Sequence, residues 1–184
     1  MKDPFIPVIL GTARPGRRSQ VVAHHVFDTI RRRGLVSELV DVADYHMNGT
    51  GRESTTTSLR HFGEVIDAAD GLVLVAPEYN HGYPGELKML LDSQYEAYAR
   101  KPVGFVSVSA GLLGGARMVE QLRLVAVALR MVPVSPAVHV SKVGDALNET
   151  GSFSSPSLQA VLDDMVDEVE WFARALTPAR IPVA

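Results

Sequence analysis

The stretch GTARPGRRS, Gly11 to Ser19, follows the apolar run FIPVIL and leads into apolar residues spaced as in a helix. A turn there needs only its glycines and its proline, so Arg14, Arg17 and Arg18 point to a bound anion. Backbone N–H groups at a helix N-terminus, the hydroxyls of Thr12 and Ser19, and planar guanidinium donors make a phosphate site in composition. The same residues also suit a solvated basic Pro-Gly loop, and two further stretches decide between the readings. PEYNHGYPG, from Pro77, sets the flat face of Tyr79 and the amide of Asn80 next to a rigid proline, a support for an aromatic ring addressed at its edge. SAGLLGG, Ser109 to Gly115, offers backbone N–H groups with no side chains to block close approach. One phosphate and one planar heterocycle, spanned by three loops, describe a mononucleotide.

Other chemistries fit less well. GTARPGRRS is close to the triphosphate loop G-x-x-x-x-G-K-[ST], and Gly11 and Gly16 have its separation. Arg17 stands where the lysine belongs and the serine falls one residue late, which misplaces both the phosphate-bridging amine and the magnesium hydroxyl. No catalytic triad is visible. His24 and His25 belong to the first helix, and His46, His61 and His139 lack metal-ligand spacing. Only His81 lies at the mouth of the site. Neither a catalytic side chain nor a metal site is expected.

The elements that must position these loops are legible in the hydrophobic pattern. Phe5–Leu10 reads as a strand covered on both faces, and Val22, Val26 and Ile30 repeat at helical spacing until Arg31–Arg33 and Gly34 stop the helix. Leu35–Val42 alternates like a strand. NGTGRESTTTS reads as a loop, and Leu59, Phe62 and Ile66 mark a second helix. GLVLVA (71–76) is a buried strand running into the second loop, before a helix carrying Leu87, Leu90, Leu91 and Tyr95. VGFVSV (103–108), the third loop, and the stripe Met118, Leu122, Val125, Ala126 and Leu129 repeat the unit. Val134–Val140 supplies a fifth strand and Leu158–Phe172 a last helix. Strands alternating with helices predict a parallel sheet covered on both faces, with ligands beyond the strands' carboxyl ends. The connections after the second and fifth strands read as ordinary polar surface.

The chain's 184 residues suit one domain, taken as 1–184, and 46% hydrophobic against 21% charged residues fits a globular protein. A net charge of −3 gives no reason to expect nucleic acid. The absence of cysteine removes disulfides, thiolate nucleophiles and cysteine-ligated clusters, so any redox chemistry comes from a bound cofactor. No apolar run reaches membrane-span length, and the N-terminus lacks the pattern of a signal peptide, so a cytoplasmic protein is expected.

GTARPGRRS together with PEYNHGYPGELKMLLD resembles the NADPH-dependent FMN reductase family, which includes quinone, azo-dye and chromate reductases. The matches are Gly11, Thr12, Arg14 and Ser19, then Pro77, Tyr79, Asn80, Pro84, Gly85, Leu87, Lys88, Leu91 and Asp92; Thr12 replaces the usual serine and Met89 a common asparagine. The resemblance implies a flavodoxin-like three-layer α/β/α sandwich with a five-stranded parallel sheet in order 2-1-3-4-5. It implies that Thr12, Arg14, Ser19 and Gln20, with Arg18, hold the FMN phosphate. Pro77, Glu78, Tyr79 and Asn80 would flank the flavin ring, and Ser109, Gly111, Gly114 and Gly115 would form its third wall. Glu78 also reads as an exposed carboxylate able to pair with another subunit.

By the same resemblance, FMN carries hydride from NADPH or NADH to a quinone, azo compound or similar small acceptor, and the protein supplies position and electrostatics. No motif reads the 2′-phosphate. The alternative is a flavodoxin-type carrier passing single electrons between proteins. A homodimer, or a tetramer of such dimers, is expected through the helix carrying Leu87 and the helix after SAGLLGG, with Met89 and Tyr98 offering apolar surface to a partner and His81 and Tyr83 lying over the neighbour's flavin.

Overall fold

Alternation along the strands determines which helices cover which face. In the computed structural model, which describes residues 2–45, 47 and 57–180, β1 (Val8–Leu10), β2 (Leu39–Asp41), β3 (Leu72–Pro77), β4 (Pro102–Val108) and β5 (Val132–Val140) form one parallel sheet in the order β2-β1-β3-β4-β5. Ile9, Leu72, Leu74, Ala76, Val103 and Phe105 face one side. There they meet α2 (Thr57–Ala68), α3 (Gly85–Asp92) and α4 (Ala116–Ala128). Val8, Leu10, Val73, Val75, Val106 and Val108 face the other, under α1 (Ser19–Arg32) and α5 (Pro156–Leu176). Because both faces are covered, the central strands are apolar at nearly every position, as expected for parallel sheets.

The expected strand order and layers are therefore observed, with shorter edges. The first strand narrows to Val8–Leu10 and the second to Leu39–Asp41, because Phe5 and Val36 make only an isolated bridge at the sheet's start. β5 is an edge strand, and this lets it carry Pro133 and Pro136, with a register shift against β4 between Val103 and Phe105. The NGTGRESTTTS stretch lies at 48–56 outside the described residues, as does His46; its last two residues, Thr57 and Ser58, open α2.

The helix after the second loop departs from expectation. It ends at Asp92, so Tyr95 is not on its stripe and is 45% exposed. Tyr98 lies in a short 3-10 turn (Glu96–Tyr98) and is fully buried in the core, so it offers nothing to a partner. The chain reverses after Asp92 because Ser93 and Gln94 return their N–H groups to Leu90 and Leu91.

Candidate functional site

β1, β3 and β4 end at one edge of the sheet, and their three loops meet around a cavity of about 520 Å³. β1 sits at the point where the chain's strand order reverses, the place where open α/β sheets bind ligands. Gly11 ends β1 under α3: a Cβ there would come within 2.8 Å of Leu87 Cδ2, so only glycine lets the first loop turn so closely. Thr12 follows, buried, and its hydroxyl is fully committed within the chain. It donates to Glu86 Oε1 at 2.9 Å and accepts from the Arg14 N–H at 3.3 Å and from Tyr79 Oη at 3.3 Å.

The three arginines of the first loop have different duties. Arg17 donates through Nη1 to the Thr12 carbonyl at 2.6 Å and pairs through Nη2 with Asp41 at the end of β2. Its side chain is largely buried and serves the loop itself. Arg14 and Arg18 are exposed at the cavity, with the Arg14 guanidinium carbon 5.6 Å from the centroid of the Tyr79 ring. Ser19 is the first residue of α1 and lines the cavity, and its buried Oγ has no hydrogen-bond partner among the described residues. It therefore lies where the first-turn N–H groups of α1 lack intrahelical acceptors.

The second loop is a tight hairpin tip. Tyr79 and Gly82 exchange backbone hydrogen bonds at 2.9 and 3.0 Å, with Asn80 and His81 between them at φ 50° and 70°. Both central residues in the left-handed region define a primed hairpin turn, which asparagine tolerates and histidine adopts less readily. Contacts from α4 hold the tip. Gln121 Nε2 donates to the His81 carbonyl at 2.9 Å and Arg117 Nη1 to His81 Nε2 at 2.6 Å. Arg117 Nε also lies 3.2 Å from Glu78 Oε1, while Glu78 Oε2 accepts the Met118 N–H at 3.3 Å. The Glu78 side chain is 8% exposed, and its partners are Arg117 and the first turn of α4 in its own chain. The exposed, intersubunit reading of this carboxylate is corrected accordingly.

With that geometry in view, the comparison with known proteins is direct. Residues 5–145 match the model of the NADPH-dependent FMN reductase family, most of the chain and all three loops. The chain belongs to that family. It is 33% identical over 147 residues to an NAD(P)H-dependent FMN reductase of Schizosaccharomyces pombe, covering 73% of this chain and 72% of the relative. It is 26% identical over 154 residues to an FMN-dependent NADPH-azoreductase of Staphylococcus aureus, covering 79% and 81%. Among solved structures, the flavoenzyme NAD(P)H:(acceptor) oxidoreductase of Paracoccus denitrificans superposes with a TM-score of 0.78 at 23% identity, over 92% of this chain and 98% of that one. A flavodoxin, WrbA-like protein of Agrobacterium tumefaciens gives 0.64 at 17%, over 94% and 99%. At those identities the structural likeness concerns the fold, which is flavodoxin-like.

As a member of the FMN reductase family, the chain can be tested for fit to that cofactor. The Ser19 hydroxyl and the guanidiniums of Arg14 and Arg18, without an ion pair or hydrogen-bond partner among the described residues, share one cavity with the half-buried Tyr79 ring, and this donor set fits a phosphorylated, ring-bearing group. Of the residues singled out in the sequence, the structure brings Arg14, Arg18, Ser19, Pro77, Glu78, Tyr79, Ser109 and Gly111 together around it. Thr12, Gln20, Asn80, Gly114 and Gly115 lie outside its lining. Gly114 and Gly115 turn away into the sheet, at φ 58° and 85°, where a Cβ would meet His139 at 2.9 Å and Ser107 at 2.8 Å respectively.

Sequence reasoning missed three contributors. Val143 also lines the cavity, from the connection after β5, and Asp41, after β2, fixes Arg17, so neither connection is ordinary surface. Glu86 ties α3 to the first loop, accepting from the Ala13 N–H at 3.1 Å as well as from Thr12. Burial pushes its carboxyl up, but hydrogen bonds from its own N–H, Ala13 and Thr12 outweigh this and hold the pKa below the ordinary value. Its sequence signal was an acid in the first turn of a helix, which only capping geometry could assign. No group of three or more metal-ligating side chains occurs among the described residues.

Proposed function

We propose that this protein oxidises NADPH or NADH through bound FMN and reduces a small acceptor such as a quinone or an azo compound, with residues 1–184 acting as one FMN-binding unit. Family membership supports the cofactor and the reaction class, and the relatives named as reductases and azoreductases favour an enzyme over an electron carrier. The observation that carries the site assignment is the buried, unpartnered Ser19 hydroxyl at the head of α1, inside the cavity made by the three loops. When bound, FMN supplies the capacity to take up hydride and pass it on, which no side chain here can do.

The chain's own residues bind and orient. Ser19 and the N-terminal turn of α1 would donate to the phosphate, and Arg14 and Arg18 would neutralise it. Thr12, its hydroxyl already engaged, holds Glu86 and Tyr79 in place behind this contact. Pro77, Glu78 and Tyr79 would support one side of the ring and Ser109–Gly111 the other, with Asn80 shaping the hairpin turn that carries Tyr79. An enzyme consuming NAD(P)H works where that nucleotide is regenerated, so the proposal places it in the cytoplasm; no helix among the described residues is long and apolar enough to cross a membrane.

Self-association is the second part of the proposal. Leu124 and Val127 stand on the outer face of α4 at 73% and 63% exposure, and Leu112 and Leu113 of the third loop at 77% and 57%. Large apolar side chains gathered on one helix and the loop leading into it suit a two-fold contact with a second copy, beside the hairpin tip and Tyr83. The test of the function is the visible absorption spectrum of the purified protein, followed by anaerobic addition of each pyridine nucleotide. Flavin bands that bleach with NADPH or NADH, and return when a quinone is added, are expected. A colourless protein that binds no added FMN sinks the proposal.

A further inference from the structure

The flavin cavity does not end at the first loop. Arg18 lines both it and an adjoining cavity of about 340 Å³, bounded also by Ala110, Lys142, Val143, Gly144 and Asp145. Lys142 and Asp145 in turn line a third cavity of about 440 Å³, which reaches along α5 to Leu158 and Val161 and along β5 to His139. Three cavities sharing their boundary residues make one groove, leading from the flavin site to the β5 edge of the sheet.

The groove's chemistry changes along its length. Its middle presents two cations, Arg18 and Lys142, both exposed and neither in an ion pair among the described residues. The Arg18 guanidinium lies against Gly144, where a Cβ would come within 3.0 Å of Nη1. Its far end has an apolar wall of Ala146, Leu158 and Val161, with Asp145, His139 and four serines as polar groups. Ser107 Oγ donates to the Gly114 carbonyl at 2.6 Å and lies 2.8 Å from His139 Nδ1. A hydroxyl has one proton, so His139 Nδ1–H donates to Ser107 and Nε2 is left as an acceptor. Burial, then the nearby Arg123, lowers the His139 pKa and keeps the ring neutral, against a smaller opposing effect of Glu120.

We infer that this groove holds the distal half of the pyridine nucleotide, with its phosphates against Lys142, next to the Arg18 that faces the FMN phosphate, and its adenosine in the cleft between β5 and α5. A lysine in no ion pair among the described residues, with the positive field of Arg18 beside it, suits a pyrophosphate. The apolar wall suits a purine face, and the Asp145 carboxylate and His139 Nε2 accept from ribose hydroxyls or the adenine amine. The inference rests on the proposed function for the identity of the electron donor, and it assigns a role to a connection whose sequence carries no nucleotide motif.

The experiment compares NADPH and NADH with reduced nicotinamide mononucleotide, which lacks the adenosine half, on the FMN-loaded protein. It also measures calorimetric binding of adenosine 2′,5′-bisphosphate, which has only that half. Lys142→Gln is expected to raise KM for NADPH and weaken binding of the bisphosphate, each by about ten-fold, the loss of one charge-assisted contact. The acceptor KM and FMN affinity should not change, and the constants for the mononucleotide, which keeps only one of the two phosphates, should change less than those for NADPH. Val161→Trp, narrowing the cleft from an exposed helix position, should act in the same direction. A wild-type protein that uses the mononucleotide as well as NADPH, or that does not bind the bisphosphate, overturns the groove while leaving the proposed function standing. A wild-type flavin reduced by none of the three donors overturns that function, and the groove with it.

Discussion

Thr12, Ser19 and Tyr98 all bury a hydroxyl, and of the three only Ser19 is both at the site and without a partner among the described residues. Thr12 uses its whole hydrogen-bonding capacity on Glu86, Tyr79 and Arg14. Ser19 Oγ has no partner. Ser19→Ala should weaken FMN binding by about ten- to a hundred-fold, the loss of a hydrogen bond to a charged phosphate worth roughly 1.5–3 kcal/mol. The flavin-free protein should lose no stability, since no partner is abandoned. Equal loss in fluorescence titration and in urea unfolding would make Ser19 structural. Arg14→Ala should also weaken FMN by at least about ten-fold, whereas Arg17 serves Asp41 and the loop backbone. Tyr98 gives the opposite case. Its hydroxyl is buried outside the cavity's lining with no partner among the described residues, and burial, with Asp92 nearby, pushes its pKa well above the ordinary value. Tyr98→Phe should raise the unfolding free energy by about 1 kcal/mol by removing an unsatisfied polar group. A lower midpoint in urea would show that the hydroxyl has a partner in solution.

At the scale of elements, a helix end explains a buried charge that the site does not use. Lys101, just before β4, runs under the C-terminus of α2, where Nζ donates to the carbonyls of Ile66 and, at 3.0 Å, Asp67. It satisfies acceptors that a helix end leaves open. Burial, then Arg180, lowers its pKa from 10.5 to about 8, against the opposing carboxylates of Asp67 and Asp70. The folded chain thus binds fewer protons than the unfolded one between those values, so Lys101's contribution to stability rises with pH across that window and falls away below about 8. The amine still donates to both carbonyls when neutral. The difference in unfolding free energy between wild type and Lys101→Met should shift in favour of the wild type between pH 7 and 10.5; a difference independent of pH would rule the mechanism out.

For the whole molecule, the question is what completes the surface around the site. Tyr98 is inside and Met89 is half-buried, so next to the site the exposed apolar area lies on α4 and the third loop, while Trp171 on α5 is exposed elsewhere. Leu124→Glu should shift sedimentation toward the monomer at micromolar concentration and loosen flavin retention at the same time, because one substitution acts twice across a two-fold contact. A wild-type protein that sediments as a monomer and turns over at full rate would remove self-association from the proposal. The hairpin tip carrying Tyr79 is anchored to α4 through Arg117 and Gln121, so a partner seated on α4 would bear on the flavin loop through contacts already present.

By itself the sequence determined the order of strands and helices, since burying a parallel sheet on both faces imposes continuous apolar strands and periodic helices that need no structure to read. It also determined that three loops share one edge, because every strand in such a sheet ends on the same side. The tertiary structure alone decided which residues in those loops remain free for a ligand. Arg14, Arg17 and Arg18 are alike in sequence and all line the cavity, and the position of Asp41, brought beside β1 by strand pairing, engages the Arg17 guanidinium and leaves the other two for a ligand. Thr12 and Ser19 offer the same hydroxyl, and Glu86 reaches Thr12 only because α3 packs under Gly11. Gly114 and Gly115 look like Gly111 on paper and differ because β4 and β5 lie against them. The connection after β5 enters the groove through folding of the chain over the first loop, a contact between residues more than a hundred positions apart that no local pattern records.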